Sequence, residues 1–115
     1  ESILSLRKAI NKQFKSNKAV TIHQNLHKNP IKASILKKMD VIVFNPPANG
    51  ALEQVKEIAK SLVKVVVSVS CNQSTFIRDA KLLLEANYNI EWLKPIDQFP
   101  NTNHLEIIAK FILKN

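Results

Sequence analysis

The sequence predicts an α/β fold: a mostly parallel sheet with helices between its strands, closed at one side by an antiparallel hairpin. Three observations carry this. Apolar, β-branched runs at residues 40–44 and 63–69 alternate with segments whose apolar residues recur at helical spacing. The last two apolar runs, 88–94 and 104–113, have no helix-length segment between them. No internal repeat, low-complexity tract or linker interrupts the 115 residues, which suffice for one domain.

Taken in order, residues 2–15 place Ile3, Leu6, Ala9, Ile10 and Phe14 on one helical face, with Lys and Arg between them. Residues 19–23 suit a short strand, and Asn29-Pro30 breaks the loop that follows. A brief helical turn is expected around residues 34–38. The continuous apolar run 40–44 reads as a buried strand ended by Asn45-Pro46-Pro47, since proline has no N–H for a ladder. Ala51, Leu52, Val55, Ile58, Ala59 and Leu62 make the inner face of a helix whose outer face holds Glu53, Lys56, Glu57 and Lys60. The almost wholly β-branched run 63–69 fits a parallel strand covered on both faces. Ser74 or Thr75 is expected to cap the next helix, with Phe76, Ile77, Ala80, Leu83 and Leu84 inside.

Composition excludes several classes. Hydrophobic residues at 45% and charged residues at 23% are too apolar for a disordered chain. No apolar run approaches the roughly 20 residues of a membrane helix, so no membrane partner and a cytoplasmic location are expected. Cys71, the single cysteine, excludes an intrachain disulfide and a cysteine-built metal cage. His23, His27 and His104 lack ligand spacing and read as structural or solvated, so no metal site is expected. Seventeen Lys and Arg against nine Asp and Glu give a net charge of +8, which favours a polyphosphate partner. The cations are spread along the chain, however, and only Arg7 and Arg78 carry the planar fork that reads phosphates bidentately.

Three segments fall outside the scaffold pattern. Residues 45–50 follow the carboxyl end of one strand, residues 70–75 follow that of the next, and residues 97–106 open the last strand. Ligands of open α/β sheets sit at the carboxyl edge. If the last strand runs antiparallel, Glu106 starts at the edge where the strand carrying Cys71 ends. A cysteine beside a helix N-terminus has its reactive thiolate favoured, and a neighbouring carboxylate can move a proton. The only glycine is Gly50, so no Gly-rich phosphate loop is present, and a helix rather than a strand opens the chain. These two features lead us to expect the later part of a larger fold.

The motifs DVIVFNPPANG (40–50), SVSCNQSTFIRDAKLLLEANY (68–88) and PIDQFPNTNHLEIIAKF (95–111) resemble, in order and spacing, those of the S-adenosylmethionine-dependent RNA uracil-5-methyltransferases that act on tRNA and rRNA. A looser likeness reaches back through TIHQNL (21–26). The resemblance implies a Rossmann-like class I methyltransferase sheet, lacking its N-terminal part, so that residues 1–115 form the C-terminal portion of the catalytic domain. It places Cys71 at the nucleophile that adds to C6 of a uracil taken out of its stack, and Glu106 at the base that removes the C5 proton. Asn25 and Asn45 match positions that contact S-adenosylmethionine, and Arg78 with Asp79 match a supporting pair. Trp92 is expected in the core rather than as a base-stacking platform.

The departures from the family pattern are specific. Asn45 stands where the family has an acid, and Ala48 where it has an arginine; Ser68 and Gln73 replace an aromatic residue and a proline. With the Gly-rich cofactor loop missing as well, the isolated chain is expected to be inactive. The alternative is a non-catalytic remnant that binds RNA or a partner chain. In the family's sheet two strands lie between the 19–23 and 40–44 strands. Without them, either the 19–23 strand pairs with 40–44 directly, or a homodimer forms through the exposed sheet edge.

Overall fold

The structure, a computed structural model, describes residues 19–23, 29–46, 50–97 and 105–115. In chain order these form β1 (Ala19–His23), α1 (Ala33–Leu36), β2 (Val41–Asn45), α2 (Leu52–Ser61), β3 (Val65–Ser70), α3 (Gln73–Glu85), β4 (Tyr88–Asp97) and β5 (Leu105–Leu113). One five-stranded sheet has the order β1-β2-β3-β5-β4. The first three strands are parallel; β5 runs antiparallel to β3 and to β4. This is the expected α/β architecture with its late hairpin. The helix expected over residues 2–15 lies outside the described residues.

Of the two arrangements expected at the 40–44 strand, the structure has the first: β1 pairs with β2 in parallel, Ala19 opposite Val41 through His23 opposite Asn45. Strand ends shift by one to three residues from the sequence reading. β2 runs one residue further, to Asn45, because only the proline that follows stops the ladder. β4 extends to Asp97 through Pro95, which an edge strand tolerates when its missing N–H would face away from the ladder.

The helices pack on one face. Leu36 of α1, Val55 and Ile58 of α2, and Phe76 and Leu83 of α3 meet Ile22, Ile42, Phe44, Val66 and Phe111 of the sheet. The alternate residues Val41, Val43, Val67, Val69 and Ile108 form a second cluster, with Trp92 packed against it. Both faces of β2 and β3 are therefore buried, which is why these strands read as unbroken apolar runs.

Polar groups inside this scaffold are paired. Gln54 of α2 is fully buried; its amide accepts from the Ile31 N–H at 2.8 Å and donates to the Ile31 carbonyl at 3.0 Å. Glu57, one turn on, accepts from the Ala33 N–H at 3.0 Å, and this bond, then Lys60, holds its carboxyl below the ordinary range. Together they tie the start of α1 to α2. Tyr88, also fully buried, donates its phenol to the Val63 carbonyl at 2.5 Å and joins the start of β4 to the approach of β3.

Burial pushes the Tyr88 phenol up to about 12. A group raised in the folded state contributes stability that is complete below its unfolded pKa, near 10, and is lost as the pH rises through its folded value. Urea midpoints are thus expected to hold steady to about pH 10 and then fall towards pH 12. The Tyr88→Phe variant, less stable by about 1–2 kcal/mol at neutral pH because the Val63 carbonyl is left unpaired, should lose this component of the fall.

Candidate active site

The site is built at the carboxyl edge of the parallel strands. Asn45 ends β2 and is half-buried. Ser70 ends β3, and Cys71 follows as an exposed free thiol. The chain then turns into α3 at Asn72, which has extended backbone angles and whose side chain accepts from the Thr75 N–H at 3.1 Å. The Thr75 hydroxyl donates back to the Asn72 carbonyl at 3.3 Å. The cap is therefore Asn72, not Ser74 or Thr75. All three residue types cap helices, and the choice falls to Asn72 because β3 ends only two residues before it.

The pairing of β3 with β5 decides what faces Cys71. Its register runs from Val65 opposite Ile112 to Ser70 opposite Ile107. Cys71 and Glu106 are the next residues beyond this last pair. Glu106 is half-buried and is itself the partner of Ile96 on β4. Directly opposed residues of an antiparallel ladder lie about 4.5–5.5 Å apart at Cα. Cys71 and Glu106, 35 positions apart in sequence, therefore each lie one residue beyond the last β3–β5 pair, at the carboxyl edge of β3.

Asn45 ends the strand next to β3, on the same edge. Asn25 lies outside the described residues, as do Ala48, Phe99, His27 and His104. Trp92 packs half-buried against the second core cluster, with the Lys94 ammonium 5.3 Å from its ring centroid. Among the described residues no group of three or more His, Cys, Asp or Glu could hold a metal ion, and no helix is long and apolar enough to cross a membrane. An open groove lined by Asn89, Glu91, Ile112 and Lys114 lies at the opposite end of the sheet and bears no nucleophile.

One contact at this edge was not legible in sequence. Gly50, buried and at φ +81°, packs against the guanidinium of Arg78, and Arg78 is bound to the buried carboxylate of Asp79. Burial raises the Asp79 carboxyl, and Arg78 draws it back down. Arg78 fills the space beside Gly50, and β2 ends in the amide of Asn45, where the family pattern has an acid.

Comparison with known proteins decides the family. The profile of the tRNA (uracil-5-)-methyltransferases matches residues 12–114. The chain belongs to this family. An uncharacterised RNA methyltransferase of Zymomonas mobilis is 38% identical over 112 residues, covering 96% of this chain and 28% of the relative. The 23S rRNA (uracil(1939)-C(5))-methyltransferase of Alteromonas mediterranea is 38% identical over 91 residues, 78% of this chain and 19% of that one. The crystal structure of Pyrococcus abyssi tRNA (uracil-54, C5)-methyltransferase, solved with S-adenosyl-L-homocysteine, superposes with a TM-score of 0.62 at 32% identity, covering 77% of this chain and 21% of its own. The Rossmann-like methyltransferase fold is thus shared across the family, and this chain spans less than a third of the length of the relatives named here.

Asn72 gives a direct check on the strand–helix junction beside Cys71. Asn72→Ala removes the acceptor for the Thr75 N–H and is expected to cost about 1 kcal/mol in urea unfolding, whereas Ser74→Ala is expected to be close to neutral.

Proposed function

We propose that this chain supplies the nucleophile and the general base of an RNA uracil-5-methyltransferase, with Cys71 and Glu106 in those roles. The observation that supports the reading is the β3–β5 register, which ends at Ser70 and Ile107, one residue short of the exposed Cys71 thiol and the half-buried Glu106, at the carboxyl edge where open α/β sheets take their ligands.

The chemistry follows from the two groups. The Cys71 thiolate adds to C6 of a uracil unstacked from its RNA, and the electrons of the C5–C6 double bond leave C5 enolate-like and nucleophilic. C5 would take the methyl group with cleavage of the donor's sulfonium S–CH3 bond, the donor leaving as a neutral thioether, and Glu106 then accepts the C5 proton. The C–H electrons rebuild the double bond, and the Cys71 thiolate departs with the electrons of the C6–S bond. The proposed methyl donor is S-adenosylmethionine, and the proposed substrate is a uridine of tRNA or rRNA. Because the chain spans less than a third of the length of these relatives, the 115-residue chain in isolation is proposed to be inactive.

In 5-fluorouracil-substituted RNA the C5 hydrogen is replaced by fluorine, which no carboxylate can abstract as a cation, so the adduct at Cys71 cannot resolve. A full-length methyltransferase carrying this segment, given the methyl donor, is expected to show RNA attached to the peptide containing Cys71 by mass spectrometry. Glu106→Gln should trap the methylated adduct on unsubstituted RNA and lower turnover by at least about 10²-fold. RNA binding with no mass added at Cys71 would contradict the catalytic reading and favour a remnant that only binds RNA.

A further inference from the structure

The turn between β2 and α2 is tied to the helix that follows Cys71 by packing of an arginine on bare backbone. A Cβ placed on Gly50 would lie 2.3 Å from Arg78 Nη2, 3.3 Å from Arg78 Cζ and 3.3 Å from Thr75 Cβ. The guanidinium therefore occupies the space that any side chain at residue 50 would need. Its orientation is fixed from the other side: Arg78 Nε and Nη2 donate to Asp79 Oδ1 at 3.2 and 3.1 Å, and the Asp79 side chain is only 9% exposed. A buried carboxylate left without this partner would be strongly unfavourable, so the pair holds itself together.

The contacts run in one direction along the edge. Gly50 touches Arg78 and Thr75; Thr75 closes the cap on Asn72; Asn72 directly follows Cys71. On the other side, Ala51 caps α2 and accepts the Val55 N–H at 3.1 Å, while Asn45 ends β2 five residues before Gly50. A planar guanidinium can lie flat on backbone and be held by one carboxylate oxygen at the same time. An ammonium, a point charge on a flexible stem, cannot.

We propose that Arg78, oriented by Asp79, is a positioning residue that seats Gly50 and the start of α2 against the α3 N-terminus and so fixes that side of the edge relative to Cys71. The catalytic consequence rests on the reading of this edge as the methyl-transfer site; the structural coupling does not.

The two are tested separately. In the 115-residue chain, Arg78→Lys and Asp79→Asn are expected to speed hydrogen exchange at the Gly50, Ala51 and Val55 amides by at least about tenfold, the loss of one charge-assisted bond, and to leave the Val66–Val69 amides of β3 unchanged. Exchange rising equally at β3 would mean a general loss of stability and would overturn the proposal. Wild-type exchange in Arg78→Lys would also overturn it, since a charge alone would then suffice. In a full-length methyltransferase carrying the segment, the same variants should lower kcat at least about tenfold with KM for RNA unchanged; a change in KM alone would overturn the catalytic part. If the unsubstituted full-length protein transfers no methyl group, the proposed function fails, and the exchange measurement still decides this inference.

Discussion

The β3–β5 pairing is the constraint on which the rest depends. It inserts the last strand of the chain between β3 and β4, so that β3 has neighbours on both sides and can be apolar on both faces. It also fixes chemistry, because antiparallel registers are discrete. A slip of one residue would move Ile107, Ala109 and Phe111 off the face covered by helices and put Lys110 there instead. The alternation of buried apolar residues along 107–111 therefore selects the register, and the register ends one residue short of both Cys71 and Glu106. Core packing and the candidate site are set by the same choice.

The remaining elements adapt to that frame. Parallel crossovers place α1, α2 and α3 on one face, and each is anchored by a polar bond as well as by apolar contact. Gln54 and Glu57 hold the start of α1, Tyr88 holds β4 to the approach of β3, and Asn72 closes the start of α3. Asn72 and, on the next turns of α3, the Arg78–Asp79 pair lie within eight residues of Cys71.

Much of this was legible in the sequence, for identifiable reasons. β2 and β3 announce themselves because strands buried on both faces need unbroken β-branched runs. The hairpin was legible because nothing between residues 97 and 105 is long enough to make a crossover helix. That the start of the last strand lies at the edge where β3 ends followed once that strand was read as antiparallel. Other features depend on tertiary approach and leave no local signal. Three neighbouring residues, Asn72, Ser74 and Thr75, can each cap a helix, and only the point at which β3 ends decides among them. Gly50 stood out as the lone glycine, yet nothing in the sequence says that Arg78, 28 positions away, fills the space beside it. Sequence also left two arrangements open for the β2 edge, and its pairing with β1 emerges only from the sheet.

The central claim, that the fold sets Cys71 directly opposite Glu106, can be tested without substrate or methyl donor. Opposed positions of an antiparallel pair fall within the Cα separation of about 4.4–6.8 Å that a disulfide requires, and Cys71 is the only native cysteine. The Glu106→Cys variant of the 115-residue chain, oxidised gently at low concentration, should form an intrachain bond between residues 71 and 106, read by mass spectrometry of the digested monomer. Ile107→Cys, whose side chain lies on the helix-covered face, should remain largely reduced. Efficient bonding in Ile107→Cys instead, or none in Glu106→Cys, would contradict the register and with it the pairing of nucleophile and base.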